Sequence, residues 1–352
     1  MDNFSKVLID WYTVNKRDLP WRESKDPYLI WISEIILQQT RVNQGYNYFL
    51  RFIKRFPCVK VLADASDDEV MKYWQGLGYY SRARHLLQAA RSMNGVFPET
   101  YNEVLALSGV GKYTAAAICS FAYDMPYAVL DGNVYRVLAR YFGIDIPIDS
   151  TKGNKFFTEL ADKMLDKKQP AVYNQAIMDF GAIQCTPKSP GCSFCPFSES
   201  CAALSAEQVD FLPVKSHKTK VSDRYFYYMY VRAGDYTLLR KRSKNDIWKD
   251  LFEFPLIETS EAMSREDFMV SAQFCAFLGN FKEPVIRLVH SHVKHVLTHR
   301  IIHADFYEIT VAENLIDIAA MLGYICIPVE NIRQYAVPKL IDDFIGKEIC
   351  LE

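Results

Sequence analysis

The sequence predicts a mainly helical first domain followed by an α+β second domain, and three observations support this. Through residues 1–204, apolar side chains recur at three and four positions, the period of an amphipathic helix. From residue 224 the period falls to two, which is typical of half-buried strands. Between them, residues 205–223 are polar and basic without a clear period, and we interpret them as a linker.

Local signals predict individual elements within this frame. Ser66 lies three residues before Glu69, a capping-box pattern for a helix that includes Val70 and Trp74. In the second domain, turn residues 233–235 separate two alternating stretches and predict a hairpin. The other predicted elements there are strands at 286–290, 294–298 and 301–309, and helices at 261–277 and 339–347.

Composition and charge restrict the class of function. The formal net charge is −1, so binding of nucleic acid would require a local basic patch. No segment resembles a membrane helix or a secretory signal, so we expect a cytoplasmic protein without membrane contact. We also expect a monomer. Nine cysteines without an export signal favour metal binding or buried thiols over disulfides.

One acid lies inside an apolar helical stretch. At about 100° per residue, Glu34 falls between Ile30 and Leu37 on the helical wheel. Burial would raise its pKa toward neutrality, as a general acid requires. The alternative is a carboxylate at the edge of the helix that reaches water.

A Gly-x-Gly turn joins two helical stretches. Gly109 and Gly111 allow positive φ and a close approach of the backbone to a ligand, and the amides at the next helix start can hold a phosphate. Because a helix lies on each side and no strand precedes it, the pattern favours a DNA-binding hairpin over a dinucleotide-binding loop.

A second acid follows the hairpin. Asp131 precedes an apolar helical pattern at Val134, Val137 and Leu138, which predicts an N-cap that keeps the carboxylate ionised. An ionised Asp beside a neutral Glu is the combination that glycosidic cleavage uses. A purely structural cap is the alternative.

Four cysteines end the helical half. Cys185, Cys192, Cys195 and Cys201 are separated by six, two and five residues. Thiolates this close can surround one metal centre. The uneven spacing leaves both zinc and an iron–sulfur cluster open.

In order along the chain, these motifs resemble the MutY-type adenine DNA glycosylases of the endonuclease III superfamily. Residues 19–22, 31–40, 76–84 and 130–133 carry the resemblance together with the hairpin and the cysteine spacing. It covers essentially the whole chain and is stronger across residues 5–204 than after residue 225. It implies a helix-hairpin-helix glycosylase domain with an iron–sulfur loop at 185–201, and a Nudix-like second domain at 224–352.

The resemblance also implies a function and the roles of several residues. The reaction is hydrolysis of the glycosidic bond of adenine opposite 8-oxoguanine or guanine in double-stranded DNA, with a [4Fe–4S] cluster on the four cysteines. Glu34 would protonate N7 of a flipped-out adenine. Asp131 would stabilise the oxocarbenium-like sugar or bond to it transiently, with Tyr113 and Asn133 nearby. The implied DNA and base contacts are Trp21, Arg22, Gln38, Gln39, Thr40, Tyr79, Gly109, Gly111 and Gln175.

One hairpin position separates two reactions. Bifunctional relatives carry a nucleophilic lysine where this chain has Tyr113, and Lys112 lies one residue earlier. A shift of one residue turns a helical side chain by about 100°. We therefore expect base removal with little or no strand cleavage, and at most weak lyase activity from Lys112.

The second domain resembles a recognition module. Residues 248–255 match the Nudix-like domain that reads the oxidised guanine, whereas residues 261–277 lack the glutamate array of an active Nudix hydrolase. Ser291 and His292 match the lesion-contacting loop, and His290 replaces its phenylalanine.

Two other functions stay open. A superfamily glycosylase for mismatched thymine can also carry a tyrosine in the hairpin, but such enzymes generally lack the second domain. A non-catalytic DNA sensor whose cluster reports redox state would need neither Glu34 nor Asp131.

Overall fold

A computed structural model describes residues 2–216, 221–243 and 246–349. The chain divides into two compact units, the first formed by Met1–Ala65 and Arg84–Lys218 and the second by Ser66–Ala83 and Thr219–Glu352. In the described ranges, no helix is both long and apolar enough to cross a membrane. Part of the predicted linker, residues 217–220, lies outside the described residues.

The residues before the sheet are helical, as the sequence predicts. The α-helices are α1 (Asp2–Asn15), α2 (Pro27–Leu37), α3 (Val42–Arg55), α4 (Val59–Ala63), α5 (Asp67–Trp74), α6 (Ser81–Ser92), α7 (Tyr101–Leu105), α8 (Lys112–Tyr123), α9 (Gly132–Phe142), α10 (Thr151–Met164), α11 (Pro170–Asp179) and α12 (Ala202–Ser205). Short 3₁₀ helices cover Pro20–Arg22 and Cys192–Phe194, and a π-helical turn at Phe180–Gln184 extends α11.

Helix α2 lies in the middle of the first unit, where it packs against α3 and α8. Trp31, Ile32 and Ile36 on this helix are fully buried. A helix that is apolar on all sides is buried on all sides. Glu34 therefore lies inside the unit, and the alternative of an edge carboxylate is wrong.

The hairpin turn between α7 and α8 requires glycine. Gly109 has a φ of 78°, and a Cβ at this position would lie 2.7 Å from Cβ of His85. Gly111 is the N-cap of α8, which has no side-chain cap. The first turn of α8 thus presents its backbone end without a capping side chain.

The second unit is built on a mixed sheet. Within the described residues it has seven strands in the order β3–β2–β1–β6–β5, with β4 on β1 and β7 on β2. Strands β1 and β6 run parallel, and the other pairs are antiparallel. The strands are β1 (Ser222–Ala233), β2 (Tyr236–Lys241), β3 (Phe252–Glu253), β4 (Leu256–Thr259), β5 (Val285–Val296), β6 (Arg300–Thr310) and β7 (Ile325–Pro328).

The β1–β2 hairpin is confirmed, whereas two of the predicted strands are a single bulged strand, β5. The predicted helix at 261–277 is also wrong as one element. It forms α13 (Arg265–Met269) and α14 (Ala272–Leu278), because Ser264 and Ser271 each cap a new helix. Two further helices, α15 (Leu315–Leu322) and α16 (Lys339–Glu348), and a 3₁₀ helix at Val329–Gln334 complete the unit.

The segment Ser66–Ala83 belongs to the second unit, although its periodicity resembles that of the other helices. Ser66 Oγ caps α5 by accepting the N–H of Glu69 at 3.2 Å, as the sequence predicts. Nε2 of Gln75 donates to Oδ1 of Asp342 at 2.9 Å, and Nζ of Lys72 donates to the carbonyl of Tyr335 at 3.1 Å. The first bond spans 267 residues and the second 263, so no local sequence signal predicts them.

Candidate active site

Three helices of the first unit bring the predicted catalytic residues to one cavity of about 190 Å³. Glu34 comes from α2, Tyr113 from the first turn of α8, and Asp131 and Asn133 from the start of α9. An apolar protein cavity of about 150 Å³ can hold benzene. The cavity, which both acids line, therefore has room for a flat aromatic ring.

Glu34 is 9% exposed and has an altered acidity. Burial raises the pKa of its carboxyl to about 7, and the negative charge of Asp131 acts in the same direction. A hydrogen bond with Tyr113 and the positive charge of Arg22 oppose the shift. Near neutral pH this carboxyl is therefore able to hold a proton and to give it up.

Asp131 is both a helix cap and a wall of the cavity. Its Oδ1 accepts the backbone N–H groups of Asn133 and Val134 at 2.9 and 2.8 Å, and its Oδ2 accepts Nδ2 of Asn133 at 2.8 Å. Burial raises the pKa of Asp131, while these donors and the charge of Arg136 lower it. The donors bind the charged form of the carboxylate.

Tyr113 lines the same cavity as the two acids. Burial raises the pKa of its phenol well above 10.0, and the charges of Glu34 and Asp131 add to that shift. Its hydroxyl also donates to Sδ of Met178 at 3.3 Å. The phenol therefore stays protonated. Lys112, one residue earlier, is exposed.

Two arginines are anchored on a buried acid that the sequence analysis did not single out. Asp179 is fully buried; its Oδ2 accepts Nη1 of Arg22 at 2.6 Å and its Oδ1 accepts Nε of Arg17 at 2.8 Å. Burial would raise the pKa of Asp179, but the hydrogen bonds and charges of Arg22 and Arg17 lower it overall. More than 150 residues separate the partners, so spacing gives no signal for this anchor.

Gln175 is fixed by a second residue that the sequence analysis did not single out. The hydroxyl of Tyr12 donates to Oε1 of Gln175 at 2.8 Å. This bond restrains the side-chain amide of Gln175, which lines the cavity. Besides Gln175, the predicted contact residues Trp21, Arg22 and Thr40 line the same cavity.

Other predicted contact residues lie elsewhere. Gln38 donates from Nε2 to Oγ1 of Thr114 at 3.2 Å, and Gln39 follows with a positive φ of 56°. Tyr79 belongs to the second unit, where its hydroxyl is hydrogen-bonded to that of Thr298. Gly109 and Gly111 form the hairpin turn, and Ser291 and His292 are exposed on β5.

Arg136 connects the site to the cysteine loop. Its Nη2 donates to Oδ1 of Asn133 at 2.8 Å, and its Nε donates to the carbonyl of Cys185 at 2.7 Å. The same guanidinium also bonds to the carbonyl of Gly181 at 2.5 Å. The start of α9 and the beginning of the cysteine loop are thus held by one side chain.

Residues 32–162 match the family model of the HhH-GPD superfamily base excision DNA repair proteins, and residues 227–347 match the NUDIX domain. An adenine DNA glycosylase of Buchnera aphidicola subsp. Baizongia pistaciae is 37% identical over 262 residues, which cover 72% of this chain and 73% of that protein. The chain belongs to the adenine DNA glycosylase family. The MutY-type resemblance and the fold class are confirmed, and the protein is a DNA glycosylase.

Solved structures related to the family support the same helical fold. A thermostable thymine-DNA glycosylase is 30% identical with a TM-score of 0.55, covering 58% of this chain and 96% of that one. A non-covalent endonuclease III–DNA complex has a TM-score of 0.50 at 19% identity and covers 58% of this chain and 97% of the other, which supports the fold alone.

Within this family member, the four predicted metal ligands line one small cavity beside Val137, Tyr141 and Phe197. In the described part of the chain, no three Cys, His, Asp or Glu side chains already stand as a metal-binding group. The thiols nonetheless lie close enough to influence one another: burial raises the pKa of Cys195 to about 11, and Cys185, Cys201 and Cys192 contribute. Buried Arg140 places Nη1 at 3.4 Å from Sγ of Cys185.

Proposed function

We propose that this enzyme hydrolyses the glycosidic bond of adenine that is paired with 8-oxoguanine or guanine in double-stranded DNA. The observation that carries the proposal is the meeting of Glu34 and Asp131, from two helices, at one cavity. The family supplies adenine as the base, because the matched relatives are adenine DNA glycosylases. A stacked adenine is out of reach, so the nucleotide must leave the helix at a cost of a few kcal/mol.

Glu34 acts as the general acid. With a pKa of about 7 it delivers a proton to N7 of the adenine, so the base departs as a neutral molecule. The bond between C1′ and N9 then breaks, its electron pair goes to the base, and positive charge remains on the sugar. Tyr113 keeps its proton and orients the carboxyl by a hydrogen bond.

Asp131 stabilises the sugar cation or bonds to it transiently. The N–H groups of Asn133 and Val134 hold the carboxylate at the cavity wall. A water molecule then adds to C1′ and its proton passes to the Glu34 carboxylate, which restores the acid. Asn133 and Tyr113 stay beside the reacting sugar.

DNA contacts surround this chemistry. We assign Gln175, Trp21, Arg22 and Thr40 to the base pocket, since they line the cavity. The first turn of α8, opened by Gly109 and Gly111, would hold a phosphate through backbone N–H groups. Gln38, Gln39 and Tyr79 would fill the opened stack, because amide and aromatic groups replace lost stacking.

Tyr113 also limits the reaction to base removal. A lyase step requires an amine in the cavity. Tyr113, which lines the cavity, carries a phenol instead, and Lys112 is exposed. We therefore infer little or no strand cleavage.

The four cysteines would hold a [4Fe–4S] cluster. The donor set fits, since four thiols line one cavity with apolar walls and the buried Arg140 guanidinium can offset negative charge. Such a cluster would supply a structural crosslink for the loop that Arg136 ties to Asn133. The test is iron and zinc analysis of purified protein with its visible absorption spectrum: zinc without iron would refute the assignment.

In the second unit, Ser291 and His292 would contact the base opposite the adenine. Both side chains are exposed on the edge strand β5, so a DNA base can reach them. The preference for 8-oxoguanine over guanine is assigned to them.

A substrate panel tests the function. Duplexes with adenine opposite 8-oxoguanine, guanine, cytosine or thymine, and with thymine opposite guanine, are incubated with enzyme, and released base is measured. We expect adenine release opposite 8-oxoguanine and guanine, with strand breaks only after alkali. Release of thymine instead would favour the thymine glycosylase alternative, to which the helical unit is also similar, and no release would favour a DNA sensor.

A further inference from the structure

The edge strand β5 is irregular where the sequence resemblance places the lesion contacts. Its pairing with β6 is regular up to Leu288 and again from Val293, with register shifts on both sides of His290. Residues 290–293, which we call the edge bulge, place Ser291 and His292 outside the ladder with exposed side chains. Bulges at sheet edges redirect side chains away from the regular pleat.

The backbone of the bulge is held by an acid on the neighbouring strand. His292 has a φ of 56°, a left-handed conformation that is costly for a residue with a Cβ. Its N–H donates to Oδ1 of Asp305 on β6 at 2.7 Å. A bond from a backbone N–H to a carboxylate is charge-assisted and stronger than a neutral one. Asp305 therefore offsets the cost of this turn of the chain.

The residue before the exposed pair is fixed in a different direction. The His290 ring packs edge-on against Phe344 of α16, with centroids 6.0 Å apart and planes at 84°. Its Nε2 is buried and lies 2.8 Å from Oε1 of Glu348, an ion-pair distance without the alignment of a hydrogen bond. His290 thus contacts α16, while Ser291 and His292 face solvent.

We propose that Asp305 is a positioning residue for base discrimination: it holds the edge bulge, with His290 on α16 as a second anchor, so that Ser291 and His292 meet the base opposite the adenine. This inference rests on the proposed function, which assigns those two side chains to the lesion. Asp305 itself contacts neither the adenine nor the sugar in this scheme.

The test compares Asp305→Ala with Asp305→Asn in the full chain. Single-turnover rates are measured for adenine opposite 8-oxoguanine and opposite guanine. Asp305→Ala removes the acceptor and should reduce the preference for 8-oxoguanine about tenfold, the usual effect of losing a hydrogen bond to a charged group. Asp305→Asn keeps an acceptor oxygen and should retain the preference to within about threefold.

Two further variants keep the outcome interpretable. His290→Ala, which removes the second anchor, should lower the preference in the same direction, and the rate opposite guanine together with the thermal midpoint reports whether each variant is folded. If Asp305→Ala retains the preference while Ser291→Ala loses it, the positioning role is overturned and the proposed function stands. If Ser291→Ala also retains the preference, the assignment of the lesion contacts in the proposed function fails as well.

Discussion

Each unit buries a glutamate, and the two differ in their partners. Glu253 in the sheet is 1% exposed and accepts Nη1 of Arg242 at 2.5 Å and Nε of Arg240 at 3.1 Å. Glu34 is nearly as buried, but its carboxyl has a tyrosine, Tyr113, as hydrogen-bond partner and lines a cavity. Burial raises the pKa of this carboxyl to about 7. Burial alone does not make an acid catalyst, because both carboxylate oxygens of Glu253 bind guanidinium groups, whereas Glu34 lines a cavity.

The largest expected effect is on catalysis. Glu34→Gln removes the proton donor, so adenine release opposite 8-oxoguanine should fall by about 100-fold or more, the usual contribution of a general acid. In the native enzyme the rate should also fall as the pH rises above about 7, where Glu34 loses its proton. Single-turnover rates against pH measure both. Exposed Glu159 provides the control, and Glu159→Gln should leave the rate unchanged.

Glu34→Gln should also stabilise the fold at high pH. The pKa of Glu34 is raised from 4.5 to about 7, so the folded state binds the extra proton between these values and native stability declines across that window. Glu34→Gln lacks this decline and should exceed the native protein at pH 8 by up to about 3 kcal/mol. Urea unfolding at pH 5 and pH 8 measures the difference, and an equal effect at both pH values would contradict the pKa assignment.

Glu253→Gln should destabilise the fold, which is the opposite of the effect expected for Glu34→Gln. It removes the charge that Arg242 and Arg240 both bind and leaves Arg242 with Asp246, at 3.3 Å, as its acidic partner, so the free energy of unfolding should fall by about 2 kcal/mol. Adenine release opposite guanine, measured on protein that is folded, should stay near the native rate. A gain in stability, as expected for Glu34→Gln, would remove the contrast between the two glutamates.

The smallest effect concerns two tyrosines in the core of the sheet unit. The Tyr227 hydroxyl accepts the N–H of Met263 at 2.8 Å, whereas the buried Tyr307 hydroxyl has no hydrogen-bond partner among the residues that the structure describes. Tyr227→Phe should therefore cost about 1 kcal/mol, and Tyr307→Phe should be neutral or slightly stabilising. Urea unfolding of both variants measures the difference, and equal losses would mean that the Tyr307 hydroxyl has a partner.

The helical unit was predictable from local patterns. The apolar residues on either side of Glu34 place it inside a buried helix, and the Asp131 cap follows from the apolar pattern after it. Both signals act over a few residues, within the reach of helical periodicity and capping. The family resemblance then predicted that Glu34 and Asp131 act together, and both residues line one cavity.

Contacts between distant parts of the chain were not predictable. Asp179 anchors Arg22 across 157 residues, and Tyr12 orients Gln175 across 163. The edge bulge was also missed, because alternation predicts two strands where one strand contains an irregular pairing. Such features depend on which surfaces meet after folding, and the periodic spacing of apolar residues along the sequence does not encode them.

The hydrogen bonds of Gln75 and Lys72 have a consequence for dissecting the enzyme. Since Ser66–Ala83 groups with the second unit, the polypeptide passes between the units three times, after Ala65, Ala83 and Lys218. A protein fragment ending near residue 204 would therefore lack Tyr335 and Asp342, the hydrogen-bond partners of Lys72 and Gln75. Point variants will therefore separate base removal from lesion choice more cleanly than truncation.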